Sequence, residues 1–124
     1  MATSKGSTSA NRSAPRKRAR SATGPTLVLL VRHGRTPTTG SVLPGRAPDL
    51  HLAPVGLEQA HRVADRIAPL RPAAVYTSPM ERTRETAAPI ARTAGLRTRT
   101  AGGLIECDFG DWTGKPLSSL RRRK

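Results

Sequence analysis

The sequence predicts an α/β protein built on a mostly parallel sheet, and three observations carry that reading. Short apolar runs at residues 27–31 and 73–77 are bounded by turn residues, the pattern of strands buried in a parallel sheet. Each run is followed by a stretch whose apolar residues keep close to a 3.6-residue period, the mark of a helix with one face on the sheet. The resulting order of strand, helix, strand, helix, strand implies parallel strands joined by right-handed crossovers.

The first run, Leu27-Val28-Leu29-Leu30-Val31, leads straight into Arg32-His33-Gly34 and reads as a strand buried on both faces. In an open α/β sheet, ligands bind at the carboxyl ends of the strands. An imidazole there, His33, has the setting of a nucleophile that attacks phosphorus. The strand end holds it, Gly34 lets the backbone turn sharply, and Arg32 supplies a guanidinium for phosphate oxygens. Residues 37–51, with Gly40, Pro44, Gly45 and Pro48, form a loop long enough to be functional. Pro54 suits the first position of a helix, Val55, Ala60, Val63, Ala64, Ile67 and Leu70 form its buried stripe, and Pro72 ends it.

Residues 73–77 are the second strand. Ser78-Pro79-Met80-Glu81 reads as a capping box, with Ser78 accepting from the third helical amide and Glu81 reaching back. Thr83, Ala87, Ile90, Ala91 and Ala94 make the buried stripe of the second helix, and Gly95 closes it. Residues 96–101 predict an edge strand. Residues 104–114 predict a loop anchored by Phe109 and Trp112, and residues 117–120 the start of a further helix.

The formal net charge of +14 on 124 residues suggests a nucleic-acid partner, but its distribution argues against one. Lys5, Arg12, Arg16, Lys17, Arg18 and Arg20 form a basic head, and Arg121, Arg122, Arg123 and Lys124 a basic end. All eight acids lie between them, so the central stretch has an ordinary surface. Residues 1–25 have almost nothing to bury and are expected to be a disordered basic tail. They read as a solvated extension or as translation begun too far upstream, ahead of a basic arm on an acidic surface; they lack the apolar face of a transit peptide. Residues 26–124 form the single domain. Cys107 is the lone cysteine, which suits a reducing cytoplasm, and no run is long and apolar enough for a membrane helix.

Two more side chains belong to the candidate chemistry. Arg82 falls one turn into the second helix, where helix amides favour an anion. If the two strands are neighbours, it joins Arg32 on one sheet edge, either side of His33, as a clamp for a phosphoryl group. The alternative for Arg82 is an exposed pair with Glu85 or Glu81. Glu106 is expected to lodge near Phe109, where an apolar neighbour disfavours its charged form and suits a general acid. Asp108 and Asp111 read as surface residues.

Four ordered stretches resemble the histidine phosphatase superfamily, the phosphoglycerate mutase-like group, branch 1. They are Arg32-His33-Gly34-Arg35-Thr36, the stretch from Leu52 to Ala60, Ser78-Pro79-Met80-Glu81-Arg82-Thr83-Arg84-Glu85-Thr86-Ala87, and Leu104-Ile105-Glu106-Cys107-Asp108-Phe109-Gly110-Asp111-Trp112-Thr113-Gly114. The resemblance runs from about residue 26 to 120. It implies a three-layer sandwich of the phosphoglycerate mutase-like kind, with its C-terminal part missing from this chain. It implies His33 as the residue that becomes phosphohistidine, Arg32 and Arg82 on the phosphoryl oxygens, Glu106 as proton donor, and Arg46 beside Gly45 at the pocket wall. It implies a small phosphorylated metabolite as substrate and no metal or other cofactor. The stretch from Phe109 to Gly114 is similar to the phosphatase branch, whereas mutases of the group carry a stretch with His and Tyr there. Hydrolysis is therefore expected over mutase chemistry.

Three departures stand out. Arg35 replaces the usual Glu or Gln; its guanidinium either favours a more anionic substrate or faces solvent. Ala53 occupies a helix-capping position commonly held by Thr or Ser. The second active-site His of the family has no match, since His51 and His61 read as surface or packing residues. The chain is thus expected to be weakly folded and to turn over little. A basic nucleic-acid-binding protein and an adaptor that binds phosphate without turnover are the rival readings.

Overall fold

The computed structural model describes residues 24–121, so nearly all of the basic tail lies outside the described residues. Its regular elements are helix α1 (Pro54–Ile67), strand β1 (Val75–Thr77), helix α2 (Glu81–Ala94), strand β2 (Thr98–Thr100) and a single helical turn, α3 (Leu117–Leu120). β1 and β2 pair in parallel, Val75 opposite Thr98 and Thr77 opposite Thr100, with α2 as the crossover between them. Arg99 lays its guanidinium 5.8 Å from the centre of the Tyr76 ring, its cross-strand partner.

The core sits where the two helices meet β1. Ala64 of α1, Val75 of β1, and Ala87, Ile90 and Ala91 of α2 are buried together, with Val63, Ile67 and Leu96 closing around them. Alanines dominate because α1 and α2 pack against each other, and small side chains let the helices approach closely. The stripe on α1 is narrower than the sequence predicts. Gly56, Ala60 and Ala64 are buried, while Val55 and Leu70 are exposed. α1 also ends at Ile67 rather than at Pro72. A 3₁₀ turn over Ala68–Leu70 contains Pro69, whose missing N–H cannot continue the ladder, and Arg71 adopts a left-handed conformation (φ 46°).

The start of α2 departs from the capping box. The backbone stays extended through Met80 (φ −68°, ψ 146°), which places Ser78 two residues ahead of the cap. Its hydroxyl accepts from the Met80 N–H at 3.4 Å, its carbonyl accepts from the Thr83 hydroxyl, and Glu81 does not reach back. The other end of α2 follows expectation. Gly95 is left-handed (φ 67°), its N–H donates to the Arg92 carbonyl, and the Leu96 N–H donates to the Ala91 carbonyl at 2.8 Å. That pair of bonds is a Schellman closure, with Leu96 folded back onto the core.

The strand expected at residues 27–31 is not one. The segment pairs with no strand among the described residues, and Leu27, Val28 and Leu30 are exposed, Leu30 at 93%. A ladder needs a partner on at least one side, and the only sheet among the described residues is the pair of β1 and β2, which residues 27–31 do not join. The long loop at 37–51 is instead tied down. Leu43 N–H donates to the Lys115 carbonyl, Gly114 N–H donates to the Leu43 carbonyl, and Leu117 N–H donates to that of Ser41. Trp112 is about half exposed, so of the two expected anchors only Phe109 is packed, against Gly45.

Candidate functional site

Gly34 is where the Arg-His-Gly turn meets the rest of the molecule. It is not needed for a left-handed turn, because its φ is not positive. It is needed for contact: a Cβ on Gly34 would strike the Gly56 carbonyl, and one on Gly56 would strike that of Arg35. The two glycines let the turn lie directly on the first turn of α1. Ala53 N–H then donates to the Arg35 carbonyl at 2.8 Å. On the other side, the Gly34 N–H donates to the Thr86 hydroxyl at 3.0 Å, and that hydroxyl donates to the Arg82 carbonyl at 2.8 Å. Thr86 is a buried residue of the site that the sequence reading placed only within a motif. Its spacing of four from Arg82, one helical turn, was the signal that both share a face.

His33 is half-buried, and its Nδ1 lies 2.7 Å from the Gly34 carbonyl. A carbonyl can only accept, so Nδ1 carries a proton, and in the neutral ring the free lone pair is then the one on Nε2. His33 lines an open cleft of about 300 Å³ together with Arg32, Gly34, Arg35, Thr39 and Gln59. Arg32 is exposed at the rim.

Arg82 is not on an exposed face paired with Glu85 or Glu81. It is 1% exposed, the most buried large side chain of the described residues. Its Nη2 donates to the Gly45 carbonyl at 2.9 Å, and its Nε and Nη1 have no partner. A buried guanidinium with two idle donors is costly unless an anion completes it. Its link to the His33 turn runs through Thr86 and Gly34, not along a shared sheet edge, because residues 27–31 do not pair with β1. Gly45 (φ 49°) carries the next step. Its left-handed backbone favours glycine, a Cβ there would press on the Thr113 and Phe109 side chains, and Arg46 beside it donates from Nε to the Glu106 carbonyl at 2.6 Å. Contacts therefore join His33, Arg82, Arg46 and Glu106 in one continuous path.

Glu106 differs from expectation. It is exposed rather than lodged in an apolar pocket, and its Oε1 accepts from the adjacent Cys107 N–H at 2.8 Å. Phe109 turns to Gly45 instead. Asp108 holds the following turn by accepting from the Gly110 N–H. His61 is exposed on α1, and His51 is engaged by Glu85, whose other oxygen accepts from the Leu52 N–H at 2.7 Å. That pair ties the loop to α2 and was not foreseen. Among the described residues no three His, Cys, Asp or Glu side chains come together as metal ligands.

The family model described as histidine phosphatase superfamily, branch 1, matches residues 28–124. An uncharacterised protein of Mycobacterium tuberculosis is 44% identical over 81 residues, covering 65% of this chain and 40% of that protein. A probable phosphoglycerate mutase of Yersinia enterocolitica is 38% identical over 93 residues, covering 75% of this chain and 43% of that protein. Among solved structures, the mycobacterial glucosyl-3-phosphoglycerate phosphatase superposes with a TM-score of 0.66 at 29% identity, covering 71% of this chain and 42% of that one. The phosphoserine phosphatase of Entamoeba histolytica, solved with 3-phosphoglyceric acid, gives 0.63 at 31% identity, covering 73% and 45%. The chain thus spans about two fifths of the length of the proteins it matches. With a family model covering nearly every described residue, the chain belongs to the histidine phosphatase superfamily, branch 1.

Proposed function

We propose that this chain carries the phosphoryl-accepting site of a phosphomonoester hydrolase that works through phosphohistidine. The observation that carries the reading is the bond from His33 Nδ1 to the Gly34 carbonyl, which leaves Nε2 as the free nucleophile in a cleft shared with Arg32. In the first step Nε2 attacks phosphorus and the bond to the substrate oxygen breaks. Glu106 gives that oxygen a proton. In the second, water attacks the phosphohistidine, Glu106 takes the water's proton, and the N–P bond breaks to release phosphate. Arg32 and the two idle donors of Arg82 neutralise the equatorial oxygens, and Arg46 steadies the Glu106 backbone. The substrate is a small phosphorylated metabolite, and the protein works in the cytoplasm, where an exposed thiol such as Cys107 stays reduced.

A mutase reading has one supporting observation, the 38% identity to a probable phosphoglycerate mutase. The stretch from Phe109 to Gly114 favours hydrolysis, since it lacks the His and Tyr expected of the mutases. Incubation with p-nitrophenyl phosphate is expected to leave an acid-labile phosphoryl group on His33, detectable by mass spectrometry, with slow release of nitrophenol. His33→Ala abolishes both. A wild-type chain that never acquires the adduct, or a His33→Ala chain that still does, overturns the assignment.

A further inference from the structure

The loop that carries Gly45 and Arg46 is gripped twice by one turn of α2. Arg82 Nη2 donates to the Gly45 carbonyl. Glu85, three residues on, accepts from His51 Nδ1 with Oε1 and from the Leu52 N–H with Oε2. Residues three apart on a helix share a face, so the two grips lie side by side.

Between the grips the chain has little to fix it. Among the described residues its internal backbone bond runs from the Ala47 N–H to the Pro44 carbonyl. Asp49 takes a left-handed conformation (φ 59°), which a residue with a side chain keeps where its surroundings enforce it. Arg46 projects from this stretch and donates from Nε to the Glu106 carbonyl. Glu106 is exposed and its carboxylate accepts from the adjacent Cys107 N–H, so Arg46 is what ties its backbone to the rest of the site. An acid displaced by about 1 Å loses much of its effect on a reaction.

We propose that Glu85 is a positioning residue for the proton transfer: by clamping His51 and Leu52 to α2, it holds the loop through which Arg46 sets Glu106. The proposal rests on the phosphoryl site assigned above, where the Nε2–P bond forms, the ester P–O bond breaks and the ester oxygen takes its proton from Glu106. Arg82 keeps its own grip on Gly45, so the loss of Glu85 falls on the acid and not on the phosphate oxygens.

The test is the single-turnover rate at which the full chain forms the His33 adduct from two esters. p-Nitrophenolate is a stable anion that leaves without a proton, whereas the phenolate of phenyl phosphate draws on an acid. Glu85→Ala is expected to slow adduct formation from phenyl phosphate about tenfold, and from p-nitrophenyl phosphate less than about twofold. Glu85→Gln returns the phenyl phosphate rate to within about threefold of the wild type, because its amide oxygen accepts from the Leu52 N–H and its NH₂ donates to neutral His51. His51→Ala keeps the Leu52 bond and gives a smaller slowing, about threefold, with the same selectivity; it decides the matter if Glu85→Ala does not fold. Equal slowing with both esters, or no slowing in either alanine variant, overturns the proposal and leaves the phosphoryl site standing. A wild-type chain that forms no adduct from either ester is a different result, and the phosphoryl site itself then fails.

Discussion

The pair between His51 and Glu85 shows how much one contact can hold at the scale of the residue. The bond to Glu85 and the charge of that carboxylate raise the His51 pKa above its ordinary value of 6.5, with Glu81 and Asp49 adding to it against partial desolvation. Burial pushes the Glu85 carboxyl up, but the Leu52 N–H, the His51 bond and charge, and Arg84 together hold it below 4.5. A raised histidine stabilises the fold fully below 6.5 and loses that effect as the pH rises through its folded value. A lowered carboxylate stabilises fully above 4.5 and loses its effect as the pH falls through its folded value. The pair is therefore strongest between these two ordinary values. The melting temperature of His51→Ala is expected to lie below that of the wild type by the widest margin near pH 5.5, and the gap to shrink as the pH is raised well above 6.5. A gap of constant size across that range would mean that His51 only packs. Such pairs are hard to read in a sequence because the two residues lie far apart in it. By contrast, His33, Arg32 and Gly34 were legible as adjacent residues. Even there, the reason for Gly34 was close approach to Gly56, which no local pattern announces.

Punctuation proved the most legible feature at the scale of the element. Pro54 opens α1 and Gly95 closes α2, because each acts through its own backbone and needs no distant partner. The capping box failed for the opposite reason. It requires Ser78 to sit at the cap, and the chain remains extended for two residues more. The run at residues 27–31 has the composition of a strand, but composition cannot supply the neighbour that makes a strand. Ala53 is a position where the local code is unfilled. It caps α1 with extended geometry (φ −69°, ψ 161°) and no side-chain bond. Ala53→Ser gives the Gly56 N–H a second acceptor and is expected to stabilise the protein by about 1 kcal/mol. For a domain of this size that is a rise of about 4–8 °C in melting temperature. No rise, with α1 intact by hydrogen exchange, would show that the cap geometry is not realised.

The whole molecule combines a well-built site with a thin core. The buried cluster consists largely of alanines, while Leu27, Val28 and Leu30 lie in water together with much of Val55 and Leu57. Burial of apolar area is the main favourable term in folding, and this chain leaves a continuous share of it unused. A segment with unpaired backbone donors and acceptors and exposed apolar side chains is also a template for a further strand. The unused surface and the unpaired backbone lie on one segment, so association satisfies both at once. The chain is expected to self-associate as its concentration rises from about 1 to 100 µM, with a heat-capacity decrease that marks apolar burial. Leu30→Lys, which places a charge on the most exposed residue of the run, shifts the sedimentation profile back to monomer and leaves α1, α2 and their packing unaltered, because Leu30 takes no part in the buried cluster. A wild-type chain that sediments as a monomer at 100 µM would show that the run is quiet in solution. Association undiminished by Leu30→Lys would move the sticky surface elsewhere, with Tyr76, Leu104 and Leu70 next in order of exposure.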